Sequence, residues 1–321
     1  MKQESVVFDT NAYRNFVHDL DESAIRERIR ELVICEKKCN VTVDVSVPVL
    51  VELFNHLADR SDPAYDICRR GSIAAWEHAI GHSKTGQISI VPEGILLISR
   101  ALFPKAEKSA AFLEREANNI ALAGVLKAVG ESTVNDDLSS WQKAFNKLKL
   151  YVASEEKNFI EHMREVVFKL DPATPNWRIY GNDKVKRREF LQELRSVKGL
   201  EWIAWSYAVY AFELVFTRKP NQEDLSSYVQ DLIRLFRAPL EVYRGILVLL
   251  AGFGFSMEDP KKRRENFRWD IDILFGLSLE TLSGKHITLV TGDEKMLDAA
   301  SEANLGDRAQ RLFDYLQRIG L

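Results

Sequence analysis

The chain has 321 residues, of which 46% are apolar and 28% charged, with a formal charge of −3. That composition excludes a largely disordered chain and supplies apolar side chains for a large core, while the near-neutral balance leaves any nucleic-acid binding to local patches. Three cysteines, Cys35, Cys39 and Cys68, are too few and odd in number for a disulfide framework, so a reducing, cytoplasmic setting is expected.

The opening residues lack a signal-peptide pattern. The longest apolar run, GILVLLAGFGF at 245–255, falls short of the ~20 residues needed to cross a bilayer, so no membrane association is expected. Val6, Val7 and Phe8 read as a short buried strand that delivers Asp9, Thr10 and Asn11 to its C-terminal end, the edge at which open α/β sheets bind ligands. Equally, Asp9 suits the N-cap of a helix beginning near Ala12.

Helical spacing follows over 12–19 and 21–38, with Ile25, Ile29, Leu32 and Val33 on one stripe. Cys35 and Cys39 lie four apart there, but no further ligands follow at zinc-like spacing. The β-prone run VTVDVSVPVL (41–50) feeds into VELFNHLADR (51–60), where Pro48 suits a first helical turn and Glu52 falls among the early turns. A helix around SIAAWEHAI and a third strand at QISIVP (87–92) complete the first α/β stretch.

From about residue 95 to 264 strand signals nearly vanish, and long amphipathic segments are broken by Gly-, Pro-, Asn- and Asp-rich loops at 129–136, 170–177 and 217–224. The α/β character then returns with a helix RWDIDILFGLSLETLSG ending at Gly284, a strand HITLVT, the turn GDEK and a closing helical region ending in DRAQRLFDYLQRIG. The simplest architecture is one α/β domain, a parallel sheet flanked by helices, formed by residues 1–95 and 265–321 and interrupted by an α-helical insertion, 96–264. Two unrelated small α/β pieces would each have too few strands for a stable sheet.

Asp293, after the strand ITLVT, repeats the logic of Asp9. If the two strands are parallel neighbours, both carboxylates reach one edge. Glu52 and Asp272 sit in apolar helical sequence, where a charge is costly unless paired or bound to a cation. Four carboxylates at one edge suit a hard divalent ion, Mg²⁺ or Mn²⁺. Asp270 rivals Asp272, because residues two apart on a helix point about 200° apart and only one of them can face the ion. His56, His78, His82 and His286 show no ligand pairing.

The pieces VVFDTNAYRNF, VPVLVELF, DIDILFGLSLE and ITLVTGDEKM, in this order, resemble the acidic motifs of the PIN domain family of metal-dependent nucleases. The resemblance covers the two flanking segments and leaves the helical block unexplained. It implies a PIN-like fold in which Asp9, Glu52, Asp272 and Asp293 are the metal-binding and catalytic acids. Asp272 is chosen because Gly276 stands one turn later, where the family's helix has alanine. Thr291, Gly292 and Asp293 form the family's Thr-x-Asp turn, and Asn11 resembles the polar residue that helps hold the first turn and its metal water. The implied activity is endonucleolytic cleavage of single-stranded RNA by metal-activated water, as in toxin-type or RNA-processing relatives. Single-stranded DNA is a further substrate, and an antitoxin or other inhibitor a possible partner. Two departures stand out: the long insertion, and SEANLGDRAQRLFDYLQRIG, which reads as helix where the family has a last strand.

Two basic clusters offer phosphate contacts: Lys261, Lys262, Arg263 and Arg264 with Phe267 and Trp269 interleaved for base stacking, and KVKRREF at 184–190. A haloacid-dehalogenase-like phosphohydrolase is the rival enzyme class, but it needs a second acid where Asn11 stands. An inactive PIN-like scaffold that binds RNA or protein is the non-enzymatic rival. P-loop, dinucleotide-binding and serine-hydrolase motifs are absent.

Overall fold

The computed structural model describes residues 4–133, 138–170, 183–252 and 267–321. β1 (Glu4–Phe8) lies between β2 (Val41–Val43) and β5 (His286–Thr291), and β6 (Ala309–Arg311) follows β5, so the sheet runs β2-β1-β5-β6 with every pairing parallel. Register sets Val7 beside Leu289 and Phe8 beside Val290. The C-terminal ends of the two central strands are therefore level, as the sequence reading requires. Just past Val43 the chain leaves this sheet, and β3 (Val45–Ser46) pairs with β4 (Ile90–Val91) in a second two-stranded ladder.

β6 corrects the expectation that the segment after Asp293 is entirely helical. The strand is three residues long, Ala-Gln-Arg, with no β-branched or aromatic side chain, so neither length nor propensity signals it. Pairing with β5 at Leu289–Ala309 creates it.

Helices cover the sheet: α1 (Thr10–Phe16), α2 (Glu22–Lys38), α3 (Val47–Asn55), α4 (Tyr65–His82), α11 (Phe267–Leu274), α12 (Leu279–Ser283), α13 (Glu294–Glu302) and α14 (Leu312–Ile319). Between them come α5 (Gly94–Leu102), α6 (Ala110–Glu131), α7 (Gln142–Leu170), α8 (Lys184–Arg195), α9 (Val197–Phe216) and α10 (Gln222–Gly252). α10 kinks at Phe236 (φ −121°, ψ 26°), three residues before Pro239, whose ring and missing N–H disrupt the preceding turn.

One apolar core runs from Val6 in β1 and Leu50 in α3 through Leu126, Phe212 and Leu240 of the helical segment. The helical block thus shares its core with the α/β part and helps to position the sheet edge. One close joint is at Gly94, the first residue of α5: its N–H donates to Asp272 Oδ1 at 3.0 Å, and an added Cβ would lie 2.7 Å from that oxygen and from the Phe275 ring. Among the described residues, no helix is long and apolar enough to cross a membrane.

Candidate active site

Asp9 directly follows β1, and its N–H donates to the Val290 carbonyl of β5 at 2.9 Å. The carboxylate does two jobs. Oδ1 caps α1 by accepting from the Ala12 N–H at 2.5 Å, while Oδ2 accepts from the Thr291 hydroxyl at the end of β5. The same Thr291 oxygen accepts from the Asp293 N–H at 2.9 Å, so one hydroxyl ties the two strand ends together. Asp293 in turn caps α13, its Oδ1 accepting from Lys295 N at 2.7 Å and Met296 N at 3.3 Å. Thr10, one residue after Asp9, donates to Glu52 Oε2 on α3 at 2.5 Å.

Gly292 lets this turn pass close to α1, since a Cβ there would lie 3.2 Å from Asn15 Nδ2 and 3.4 Å from Asn11 Cβ. Asn11 therefore borders the turn. Asn15, one helical turn later on the same face, joins it.

Of the two aspartates on α11, the structure groups Asp270 with Asp9, Glu52 and Asp293. Asp272 points to the opposite side of α11, where it accepts from Gly94 N and faces Arg268 Nη1 at 3.1 Å. Asp270 instead feels the charges of Glu52, Asp293 and Asp9. The choice of Asp272 fails because α11 is buried nearly all round: Trp269, Ile271, Asp272, Ile273 and Leu274 are all buried, so apolar periodicity cannot say which face meets the sheet edge. A usable signal was present in Arg268, which stands four residues before Asp272 and neutralises it.

Burial and mutual repulsion raise the proton affinity of Asp9, Glu52 and Asp270. Asp9, 2% exposed, is pushed up to about 6 by burial and by Asp293, against the hydrogen bonds from Thr291 and the backbone. Glu52 rises to about 7 through burial and the Asp9 and Glu156 charges, opposed by the Thr10 hydrogen bond and Arg14. Asp270 is raised well above the usual carboxylate range by burial, then Glu52, Asp293 and Asp9. Removing a carboxylate from water disfavours its ionised form, and like charges nearby add to the penalty.

Arg14 and Lys295 are the cations whose charge reaches Glu52 and Asp270 respectively, and Glu156 on α7 adds a fifth carboxylate at the margin. The sequence reading passed over all three. Arg14 and Lys295 look like ordinary charged helix positions, and Glu156 arrives from the helical block by packing alone.

The donor set is all oxygen and anionic, which fits a hard divalent ion. Its spacing is open: among the described residues, the group of metal-binding side chains whose ligand atoms all lie within 4.8 Å is Glu36, His78 and His82, not these acids. The chain matches no family model, curated protein or solved structure. The likeness to PIN domains therefore rests on the four motifs quoted above.

Trp269 is not available as a stacking platform. It is 1% exposed, packs against Val47, Val51 and Val152, and donates from Nε1 to Glu156 Oε1 at 3.2 Å. An indole at this spacing from a basic run reads the same whether it faces solvent or fastens a helix, and here it fastens α11 to α3 and α7. Lys261, Lys262, Arg263 and Arg264 lie outside the described residues. The second basic cluster lies on α8, with Lys184 and Arg188 exposed. The absence of histidine pairing is also corrected: His78 and His82 both meet Glu36.

Proposed function

We propose that the chain is a Mg²⁺- or Mn²⁺-dependent nuclease that cuts single-stranded RNA, with Asp9, Glu52, Asp270 and Asp293 as its metal-binding acids. One observation carries this reading: four carboxylates from four separate elements converge where β1 and β5 end, and three of them, Asp9, Glu52 and Asp270, are buried against one another's charge at a cost that folding alone does not require. RNA as the substrate, and an antitoxin-like inhibitor as a partner, follow from the PIN resemblance.

A bound divalent ion supplies a water acidic enough to be deprotonated near neutral pH and neutralises charge on the scissile phosphate. The residues do the rest. Asp9 and Asp293 are held rigid because each is also a helix cap, which fixes carboxylate direction to within hydrogen-bond tolerance. Glu52 and Asp270, whose proton affinity is raised by burial and by neighbouring carboxylates, would release their protons as the ion binds and would then help to hold it and orient its water. Arg14 and Lys295 border the acids and are placed to meet phosphate oxygens. Attack in line with the 3′-oxygen then leaves 5′-phosphate and 3′-hydroxyl ends.

The deciding assay is cleavage of labelled single-stranded RNA and DNA with Mn²⁺, Mg²⁺ or EDTA, comparing wild type with Asp9→Asn and Asp293→Asn. Metal-dependent cutting lost in both variants supports the reading; absence of both cutting and Mn²⁺ binding by calorimetry leaves a scaffold that binds RNA or protein. The raised proton affinities add a pH dependence. Asp9 near 6 and Glu52 near 7 must shed their protons for an ion to bind, so Mn²⁺ affinity and the rate at subsaturating Mn²⁺ are expected to climb as pH rises from 6 to 8. A flat profile across that range would count against these acids as ligands.

A further inference from the structure

On the other side of α1 from the carboxylate edge, Glu36 of α2 meets two histidines of α4. His78 Nε2 and His82 Nε2 lie 2.8 Å and 2.7 Å from the same oxygen, Glu36 Oε2. Residues four apart share one face of a helix, so both imidazoles point the same way. The other carboxylate oxygen, Oε1, accepts from the Tyr315 hydroxyl of α14, and the Tyr13 hydroxyl of α1 is 3.2 Å from His78 Nδ1. Glu36 and His78 are fully buried, while the His82 side chain keeps 5% of its surface open to solvent.

We propose that Glu36, His78 and His82 form a zinc site that fastens α2 to α4. Two imidazole nitrogens and a carboxylate oxygen are the ligand types zinc prefers, and three protein ligands leave its fourth tetrahedral position to water or to the Tyr315 hydroxyl. At ordinary zinc–ligand lengths, neighbouring ligand atoms stand about 3.3 Å apart. Each histidine nitrogen needs to move about half an ångström away from Glu36 Oε2 to admit the ion.

Proton accounting is simple for His78. Without the ion its Nε2–H donates to Glu36; with the ion the proton moves to Nδ1, where the Tyr13 oxygen accepts it, the outer hydrogen bond that metal-binding histidines characteristically make. Phe8 of β1 lies edge-on to both the His78 and Tyr315 rings, at centroid distances of 5.0 Å and 5.5 Å. The ion would thus brace the layer behind the strand that carries Asp9. The proposal is independent of the nuclease reading.

The test is zinc binding by the full chain without a purification tag. The protein is stripped with a chelator and titrated with Zn²⁺ against a chromophoric competitor, alongside His82→Gln, Glu36→Gln and the Asp9→Asn/Asp293→Asn double variant. One equivalent is expected in wild type and in the double variant, unaffected by excess Mg²⁺, with affinity reduced more than about a hundredfold in His82→Gln and Glu36→Gln. Zn²⁺ bound equally by wild type and His82→Gln, or lost in the double variant, overturns the proposal. If the histidine variant does not fold, Co²⁺ added to wild type decides: visible bands of a four-coordinate nitrogen and oxygen site saturating at one equivalent support the proposal, and their absence sinks it.

Discussion

Asp270→Asn is expected to abolish metal-dependent cleavage, by more than about a hundredfold, and at the same time to raise the melting temperature of the metal-free protein at pH 8 by about 2 °C or more. The two effects share one cause. Asp270 is placed among Glu52, Asp293 and Asp9, and its ionised form gains little but repulsion until a cation arrives. In the metal-free protein such acids hold protons that the unfolded chain sheds above about pH 4. Their contribution to stability is therefore full below that point and falls as pH rises through the folded-state values, about 6 for Asp9 and about 7 for Glu52. A neutral amide at 270 relieves that repulsion.

Asp272→Asn is expected to behave in the opposite way. It leaves Arg268, buried at 8% exposure, short of its nearest carboxylate, and loses about 3 kcal/mol of stability while the folded fraction still cuts. Thermal melts at pH 6 and 8 with and without Mn²⁺, together with single-turnover cleavage, separate the cases. Loss of cleavage in Asp272→Asn with full activity in Asp270→Asn would reverse the assignment.

Much of this site was legible in the sequence because strand ends are. Asp9 and Asp293 each follow an apolar β-branched run and precede a helix, and the capping role that such a junction suggests is what both carboxylates perform, while they share the sheet edge. Glu52 was readable because a charge inside VPVLVELF is costly unless it has a partner. What was not legible came from packing between distant segments. The third acid depended on which side of a fully buried helix faced the sheet, and α5 decides that by donating Gly94 N–H to Asp272. Trp269 was hidden by its partner Glu156, more than a hundred residues earlier in the chain. His78 and His82 stood at helical spacing, but Glu36, the residue that gives the spacing meaning, belongs to a different helix.

The helix that carries Asp270 is held from behind by a buried ionic network, and Arg115→Met is expected to show how strongly. Arg115 on α6 donates to Glu93 at the start of α5 (Nε to Oε2, 2.8 Å), to Glu155 of α7 (2.9 Å), and to the hydroxyls of Tyr151 and Tyr210. Glu93 is completed by Asn119 Nδ2 at 2.7 Å and Tyr151 at 2.8 Å, and Arg268 on α11 reaches both Glu155 and Asp272. The network joins four helices of the central block to α11, on the face opposite Asp270. Methionine preserves most of the side-chain volume but leaves Glu93 buried without its cation, a change that typically costs about 3–5 kcal/mol. The melting temperature should fall by about 4–7 °C. Adding Glu93→Gln to Arg115→Met should recover part of the loss, because the orphaned charge goes with it; no recovery would mean that the arginine matters for packing alone. Cleavage by the folded fraction of Arg115→Met should fall as well, since a loosened α11 no longer holds Asp270 against Glu52. The helical block neutralises one face of α11, where Arg268 meets Asp272 and Glu155, and leaves the opposite face to turn Asp270 toward the acids at the sheet edge.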